Sequence, residues 1–318
     1  MTTSQPSFAV VRSDPARITE AMSALLGAGP AAAGRFAEQA AAASIRLDLV
    51  WCVQDQLGRY RLAVLAVPSV GRTAMLIASH ARSLDDVANL TPAISAAAEG
   101  VADVADIAQA LVDPSHLLDV AAFERGGLRR IAVLDYLERQ LPRTGTLNLP
   151  VVPPQWTIEP LASRAQLDGS DPHALGGATR AELVALLDDT YVGTRDCPGL
   201  AGMRRTSDVL DGHFGSGARR RHWLIARRDG KACGLCLLNG SPDGRSAELA
   251  YFGIAHFARG NGLGTLLLAR GLHACSADRM STVTLALDAE NEPARALYDA
   301  AGFRKTISRV ALVKPLAR

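Results

Sequence analysis

The sequence predicts an α+β protein that contains two copies of one domain. Three observations predict this class. Short strand-like runs alternate with alanine-rich helical runs along the 318 residues. A proline-rich segment separates two sets of such runs. The Gly127-Leu-Arg-Arg sequence that precedes the last strand of the first set matches Gly302-Phe-Arg-Lys, 175 positions later in the second set.

The elements of the first set follow from their periodicity and their turns. A first strand at 8–12 is followed by an alanine-rich helical stretch at 16–43, which breaks near Gly27 and Pro30. The remaining elements are strands at 46–53, 61–67 and 73–79, a helix at 89–104, a strand at 106–113, a short helix at 117–125 and a strand at 128–137.

Prolines mark the expected domain boundary. Residues 142–154 carry four of them and few charges. Such a composition is typical of an exposed linker. We therefore expect a first domain at 1–142, a linker at 143–154 and a second domain at 155–318.

The second set repeats the pattern of the first. It begins with a strand at 156–160, a helix at 180–190 and a loop-and-helix stretch at 191–217. Two strands around Asp229-Gly230 read as a hairpin. An apolar strand follows at 249–257, then a glycine-rich turn, an apolar helix, an alternating strand from Val283 and a short helix with Pro293 near its start.

Composition limits the classes of function. A net charge of +2 gives no reason to expect a nucleic-acid or membrane partner. No apolar run reaches the roughly 18 residues of a membrane span, and the first residues are polar. The sequence therefore predicts a cytoplasmic protein. Its five cysteines are expected to be free thiols, and Cys233-Gly-Leu-Cys236 is interpreted as part of a buried strand rather than a metal or redox site.

The glycine-rich turn has the properties of a phosphate site. Arg259, Gly262 and Gly264 form an Arg-x-x-Gly-x-Gly pattern between a strand and a helix. The first N–H groups of a helix have no internal partner, and the helix dipole favours an anion there. Glycine allows close approach of the backbone, and arginine can add a charge-assisted contact. The pattern lacks the Gly-Lys-Ser/Thr ending of a P-loop and the third glycine position of a dinucleotide fingerprint.

A second segment strengthens the interpretation. From Asn291 the sequence reads Asn-x-x-Ala-x-x-Leu-Tyr-x-x-x-Gly-Phe, ending at Phe303. Together the two segments resemble the acyl-CoA motifs of the GNAT superfamily of N-acetyltransferases, over roughly residues 155–318. The resemblance implies two tandem GNAT-like domains, each with a mixed, mostly antiparallel sheet flanked by helices.

The resemblance also implies a cofactor and a site. Acetyl-CoA would be the acyl donor, and no metal is implied. Its pantetheine arm would pair with the strand near residues 252–254, and its pyrophosphate would lie on residues 259–265. The expected cofactor-binding residues are Phe252, Gly253, Ile254, Arg259, Gly260, Asn261, Gly262, Leu263, Gly264, Thr265, Asn291 and Tyr298.

Two side chains are candidates for catalysis. Tyr298 matches the family tyrosine that protonates the departing thiolate, although it could instead be a packed helix aromatic. Glu248 matches a glutamate that takes the amine proton in several members, often through water; the alternative is a solvent-facing charge. Asn291 could contact the cofactor or cap the helix that follows it.

The first copy looks degenerate. No glycine lies between Gly71 and Gly100, so this half lacks a phosphate-binding turn. In the alignment of the two halves, Phe123 is the counterpart of Tyr298, and either Thr73 or Met75 is the counterpart of Glu248. We expect an amine acceptor, either a small molecule or a peptide, and allow for a homodimer. A non-catalytic acyl-CoA-binding regulator or scaffold is the alternative function, and a longer acyl donor is the alternative substrate.

Overall fold

The order of strands and helices is the same in the two halves of the chain. The computed structural model describes residues 8–142, 147–161, 178–215 and 219–316. The strands are β1 Ala9–Arg12, β2 Val50–Gln54, β3 Tyr60–Ser69, β4 Thr73–Ala78, β5 Ile107–Val112, β6 Arg129–Gln140, β7 Trp156–Pro160, β8 Arg219–Arg228, β9 Lys231–Gly240, β10 Ser246–Ile254, β11 Thr282–Asp288 and β12 Arg304–Pro315. The helices are α1 Ile18–Leu26, α2 Pro30–Ala42, α3 Leu84–Glu99, α4 Leu117–Arg125, α5 Arg180–Tyr191, α6 Thr206–Gly215, α7 Leu263–Ala277 and α8 Glu292–Ala300.

The chain divides into two compact units. Unit 1 contains Met1–Ala132, Gly202–Arg204 and Arg309–Arg318, and unit 2 contains Val133–Ala201 and Arg205–Ser308. The expected domains at 1–142 and 155–318, with a linker at 143–154, describe the duplication of the sequence rather than these units. They stay a prediction.

Unit 1 is a mixed, mostly antiparallel sheet covered by helices on both faces. Strands β1 to β4 pair antiparallel in sequence order, and β4 pairs parallel with β5. Alternate residues of a strand point to opposite faces. Val50 and Cys52 accordingly pack in one core with Met22 of α1, whereas Trp51 and Val53 belong to another core with α3 and α4.

Unit 2 has the same kind of sheet and one large apolar core. Strands β7, β8, β9 and β10 pair antiparallel in order, and β10 pairs parallel with β11. The hairpin predicted between β8 and β9 is present, and Asp229 and Gly230 both have positive φ, at 51° and 79°. The core contains buried side chains from each of the four helices that the structure describes in this unit, α5 to α8.

The last strand of each sheet comes from a distant part of the chain. In unit 1, β5 pairs antiparallel with residues 310–315 of β12. In unit 2, β11 pairs antiparallel with residues 134–140 of β6. Local sequence patterns predict that a strand forms, but they do not say which strand it joins.

Several predicted boundaries differ from the structure by a few residues, and two of them have a visible cause or consequence. The helix expected at 89–104 runs instead over Leu84–Glu99, because the Ser83 side chain accepts a hydrogen bond from the Asp86 N–H and caps it there. The strand expected to reach residue 257 ends at Ile254 and is followed by a 3-10 turn at His256–Ala258.

The parallel strand pairs settle the register of the repeat. Thr73 begins the β4–β5 pair and Ser246 begins the β10–β11 pair, so Met75 is the counterpart of Glu248. Of the two alternatives left open by the sequence, the structure therefore selects Met75. Across the described ranges, every helix falls short of the length and apolar character that a bilayer crossing requires.

Candidate active site

A cleft opens in unit 2 where two parallel strands separate. Residues 246–248 of β10 pair with 282–284 of β11, and the pairing stops there. Beyond this point β11 continues to pair with β6 on its other side. The resulting cavity has a volume of about 560 Å³. Residues 249–254 of β10 form one wall, and Ala286 and Leu287 of β11 belong to the opposite wall.

The glycine-rich turn forms one end of this cavity. Gly260 and Gly262 both have φ of +77°, a conformation that other residues rarely adopt. A Cβ atom placed on either glycine would meet no atom within 4 Å. Within the described residues, the backbone N–H groups of residues 260–265 donate to no acceptor. The turn and the start of α7 therefore present a row of unused donors in open space, which suits a pyrophosphate.

Asn261 and Thr265 have different places in this turn. The Asn261 amide donates to the carbonyl of Arg259 at 3.0 Å and so helps to hold the turn. Leu263 is buried beneath it, whereas Thr265 is exposed in the first turn of α7. Gly264 lines the cavity, and a Cβ there would lie 3.8 Å from both Ile254 and Leu297.

The side chain of Arg259 contacts the protein rather than the space above the turn. Its guanidinium donates to the carbonyls of Thr190 at 2.6 Å, Val192 at 2.8 Å and Ile254 at 3.0 Å. The sequence motif predicts a charge-assisted contact between this arginine and phosphate. In the structure its donors fasten the end of α5 to the end of β10, while the residue also lines the cavity. A contact between Arg259 and phosphate stays a prediction.

The β10 wall carries the residues expected to face the pantetheine arm. Phe252, Gly253 and Ile254 all line the cavity, and they pair with β9 on their other side. A Cβ on Gly253 would come within 2.8 Å of the Tyr251 hydroxyl. Close packing of the Tyr251 and Thr190 side chains therefore favours glycine here.

Asn291 caps helix α8 and also lines the cavity. Its Oδ1 accepts a hydrogen bond from the Ala294 N–H at 3.3 Å. The capping alternative raised by the sequence is thus realised. The amide NH₂ group remains as the part of this side chain that has a donor for a ligand.

Tyr298 projects from α8 into the same cavity. It is 6% exposed and packs edge-on against Phe252 and Phe303, with ring centroids 6.4 and 5.6 Å away. Burial raises the pKa of its hydroxyl, and the charge of Asp196 raises it further. Its hydroxyl has no hydrogen bond to any residue that the structure describes. The phenol therefore keeps its proton and has an unused donor.

Glu248 lies apart from this group. It is exposed and sits on β10 opposite Asn239 of β9 and Thr284 of β11, at the last paired position before the strands separate. On β10, the residues that line the cavity begin at the next position, Leu249. Glu248 therefore stands at the apex of the cleft, just before the residues that line it.

The structure reveals a carboxylate that the sequence analysis did not select. Asp196, in the loop between α5 and α6, lines the cavity. Its Oδ1 accepts from the Asp288 N–H, and Asp288 Oδ2 accepts from the Cys197 N–H, both at 3.1 Å. Desolvation raises the pKa of Asp196; the Asp288 N–H opposes this, and the Asp288 charge adds to it. No sequence motif marks this residue, because its partner lies 92 positions away.

The corresponding place in unit 1 has different chemistry. Helix α3 begins at a capping serine, Ser83, and carries Asp85 and Asp86 in its first turn. Carboxylates at a helix N-terminus satisfy the dipole that would otherwise attract phosphate. Nearby, His80, His116 and Asp119 bring potential metal-ligand atoms within 4.8 Å of one another, and this is the one such group among the described residues.

The cysteines are free in all five positions. Cys233 and Cys236 are buried in β9, as the sequence analysis expected for a strand. Burial raises the pKa of Cys233 to about 11 and that of Cys197 to about 12. A raised thiol pKa disfavours the thiolate that metal binding and redox exchange require.

Comparison with known sequences agrees with this geometry. Residues 180–303 match the sequence model of the acetyltransferase (GNAT) family. A mycothiol acetyltransferase from Streptomyces griseus is 33% identical over 81 residues, which is 26% of this chain and 26% of that relative. The match therefore spans about a quarter of the relative's length.

Solved structures match nearly the whole chain. A GCN5-related N-acetyltransferase from Sphaerobacter thermophilus aligns with 98% of this chain and 96% of its own, at 16% identity and a TM-score of 0.59. A tandem GNAT protein from the clavulanic acid biosynthesis pathway aligns over 99% of both chains, at 17% identity and a TM-score of 0.53. At this identity the likeness shows the fold: a tandem of mixed α+β domains.

Proposed function

We propose that the chain is an N-acetyltransferase that uses acetyl-CoA, because residues 180–303 match the sequence model of the acetyltransferase (GNAT) family. The acetyl group would pass directly to an amine bound in the unit 2 cleft. One observation supports this most strongly. The N–H groups of residues 260–265 are unused and lie at the end of a cleft.

The residues of the cleft suit the binding of acetyl-CoA. The pyrophosphate would accept hydrogen bonds from the N–H groups of residues 260–265. It would occupy the open space that a side chain on Gly260 or Gly262 would otherwise fill. The pantetheine arm would lie along Phe252, Gly253 and Ile254. Asn291 would donate to the cofactor through its NH₂ group. Acetyl-CoA supplies a thioester, and the protein orients it and moves protons.

The departing thiolate needs a proton, and Tyr298 is proposed to supply it. The phenol has an unused donor in the cleft and a raised pKa, so it is protonated at neutral pH. Glu248 is the base that the family motif suggests. Because its side chain is exposed at the apex of the cleft, it would reach the amine only through water.

A test of this function measures thiol release. The full chain is incubated with acetyl-CoA and a panel of primary amines, namely lysine, spermidine, tyramine and glucosamine. We expect at least one amine to accelerate thiol release above the hydrolysis background and to gain an acetyl group by mass spectrometry. Binding of acetyl-CoA with no amine-dependent release would favour the non-catalytic alternative. Faster release from a longer acyl-CoA would identify that donor instead.

A further inference from the structure

Asp196 is positioned as firmly as a catalytic side chain needs to be. It sits in the loop between α5 and α6 and lines the same cavity as Tyr298. The loop and the end of β11 are joined by two reciprocal hydrogen bonds, from the Asp288 N–H to Asp196 Oδ1 and from the Cys197 N–H to Asp288 Oδ2. Of the residues that the structure describes, none donates to Asp196 Oδ2. One oxygen is therefore held by the fold while the other can meet a ligand.

Asp196 has no cationic partner among the described residues. Over the described ranges, neither Asp196 nor Asp288 forms an ion pair with a lysine, an arginine or a histidine. Arg259, the arginine of the neighbouring turn, has its donors on backbone carbonyls. Asp196 lies near the ionisable groups of Cys197, Tyr251, Asp288 and Tyr298, and the exposed Arg195 lines the same cavity. Cys197, Tyr251 and Tyr298 are neutral at pH 7, whereas Asp288 carries a negative charge and Arg195 a positive one.

We propose that Asp196, rather than Glu248, receives the acceptor as an ammonium ion and removes its proton, so that the substrate is a cationic primary amine. This inference rests on the proposed acetyltransferase function and adds to it a base and a class of acceptor. Both residues are exposed, but Asp196 is among the residues that line the cavity and Glu248 is not.

The protons and bonds of the reaction balance. The Asp196 carboxylate takes one proton from the ammonium group, and the free amine attacks the thioester carbonyl. The carbon–nitrogen bond forms and the carbon–sulfur bond breaks. Tyr298 gives its proton to the thiolate and regains one from the nitrogen of the new amide. Asp196 then releases its proton to solvent, and the products are an amide, CoA and one proton.

The decisive variant is Asp196→Asn. It preserves the Oδ1 acceptor for the Asp288 N–H, so the loop keeps its hydrogen bond, but it removes the base. We expect kcat with a cationic amine to fall about 10²–10⁴-fold, with the affinity for acetyl-CoA unchanged. In the wild type, kcat/KM should fall as pH drops through the raised pKa of Asp196, and this acidic limb should be absent in the variant.

A stability measurement provides a second readout. The folded-state pKa of Asp196 is raised, so the fold disfavours its charged form. Above the pKa that Asp196 has in the folded protein, its charged form lowers the stability of the fold. Below the pKa that it has in the unfolded chain, the carboxyl is protonated in both states and this loss is absent. Asp196→Asn should therefore raise Tm at pH 7, and the gain should shrink as pH falls toward the usual pKa of a carboxyl group.

The controls separate the possible outcomes. Asp229→Asn removes a carboxylate from the exposed β8–β9 hairpin and should leave kcat unchanged. Glu248→Gln should cost far less than Asp196→Asn. Wild-type turnover and an unchanged pH profile in Asp196→Asn would overturn the assignment of the base. Failure of every panel amine to react with wild type would instead overturn the acetyltransferase function itself.

Discussion

Replacement of Tyr298 by phenylalanine is expected to lower kcat by about 10²-fold or more, because a positioned general acid typically contributes 10²–10⁴-fold. The ring makes edge-on contacts with Phe252 and Phe303, which phenylalanine retains. The hydroxyl forms no hydrogen bond with the described part of the protein, so its removal should leave the fold intact. Amine-dependent thiol release and acetyl-CoA titration would measure the two effects separately.

Two measurements are needed to interpret this variant: kcat of a control variant, and the acetyl-CoA affinity of Tyr298→Phe beside its kcat. Tyr60→Phe removes a hydroxyl from unit 1, far along the chain from the cleft residues, and should leave kcat unchanged. Wild-type turnover in Tyr298→Phe would remove the proposed acid. Loss of acetyl-CoA affinity with normal turnover at saturation would make Tyr298 a packing residue of the cofactor site.

Gly262→Trp is expected to abolish acetyl-CoA binding. The indole would extend from a position with no atom within 4 Å and would occupy the space that the unused N–H groups face. Each hydrogen bond to a charged group contributes about 1.5–3 kcal/mol. Loss of two of them would weaken binding at least about 100-fold, since 1.4 kcal/mol corresponds to a factor of ten. Calorimetric titration would measure the change in Kd.

Gly230→Trp is a matched control for backbone strain. Gly230 has φ of +79°, close to the +77° of Gly262, and a Cβ there also meets no atom within 4 Å. Both variants bear the cost of a left-handed conformation, about 1–2 kcal/mol. The two positions differ in their distance from the proposed phosphate site: Gly262 belongs to the turn before α7, whereas Gly230 lies in the β8–β9 hairpin. Equal loss of binding in both variants would point to misfolding, and retained binding in Gly262→Trp would contradict a phosphate site at this turn.

Much of the fold follows from local patterns. The hairpin at Asp229-Gly230, the glycine turn before α7 and the cap at Asn291 are each decided by a few adjacent residues, and the structure has all three. The tandem α+β architecture follows from the repeat of such elements. Only the parallel strand pairs show that Met75 is the counterpart of Glu248, because the sequence alignment of the two halves was uncertain by two residues.

The features that the sequence did not predict are long-range. Arg259 was expected to face phosphate, yet its partners include the carbonyls of Thr190 and Val192, which lie 69 and 67 positions earlier. Asp196 becomes part of the cleft through Asp288, 92 positions away. The last strands of the two sheets are likewise brought in from distant parts of the chain. Local composition carries no information about these pairings.

The most direct test of the central claim is a calorimetric titration of the full chain with acetyl-CoA. Unit 2 offers unused N–H groups at a glycine turn, whereas helix α3 of unit 1 begins with Ser83, Asp85 and Asp86. We therefore predict one binding site per chain. Two equivalent sites would contradict the assignment of the cofactor to unit 2 alone, and no binding would contradict the acetyltransferase function.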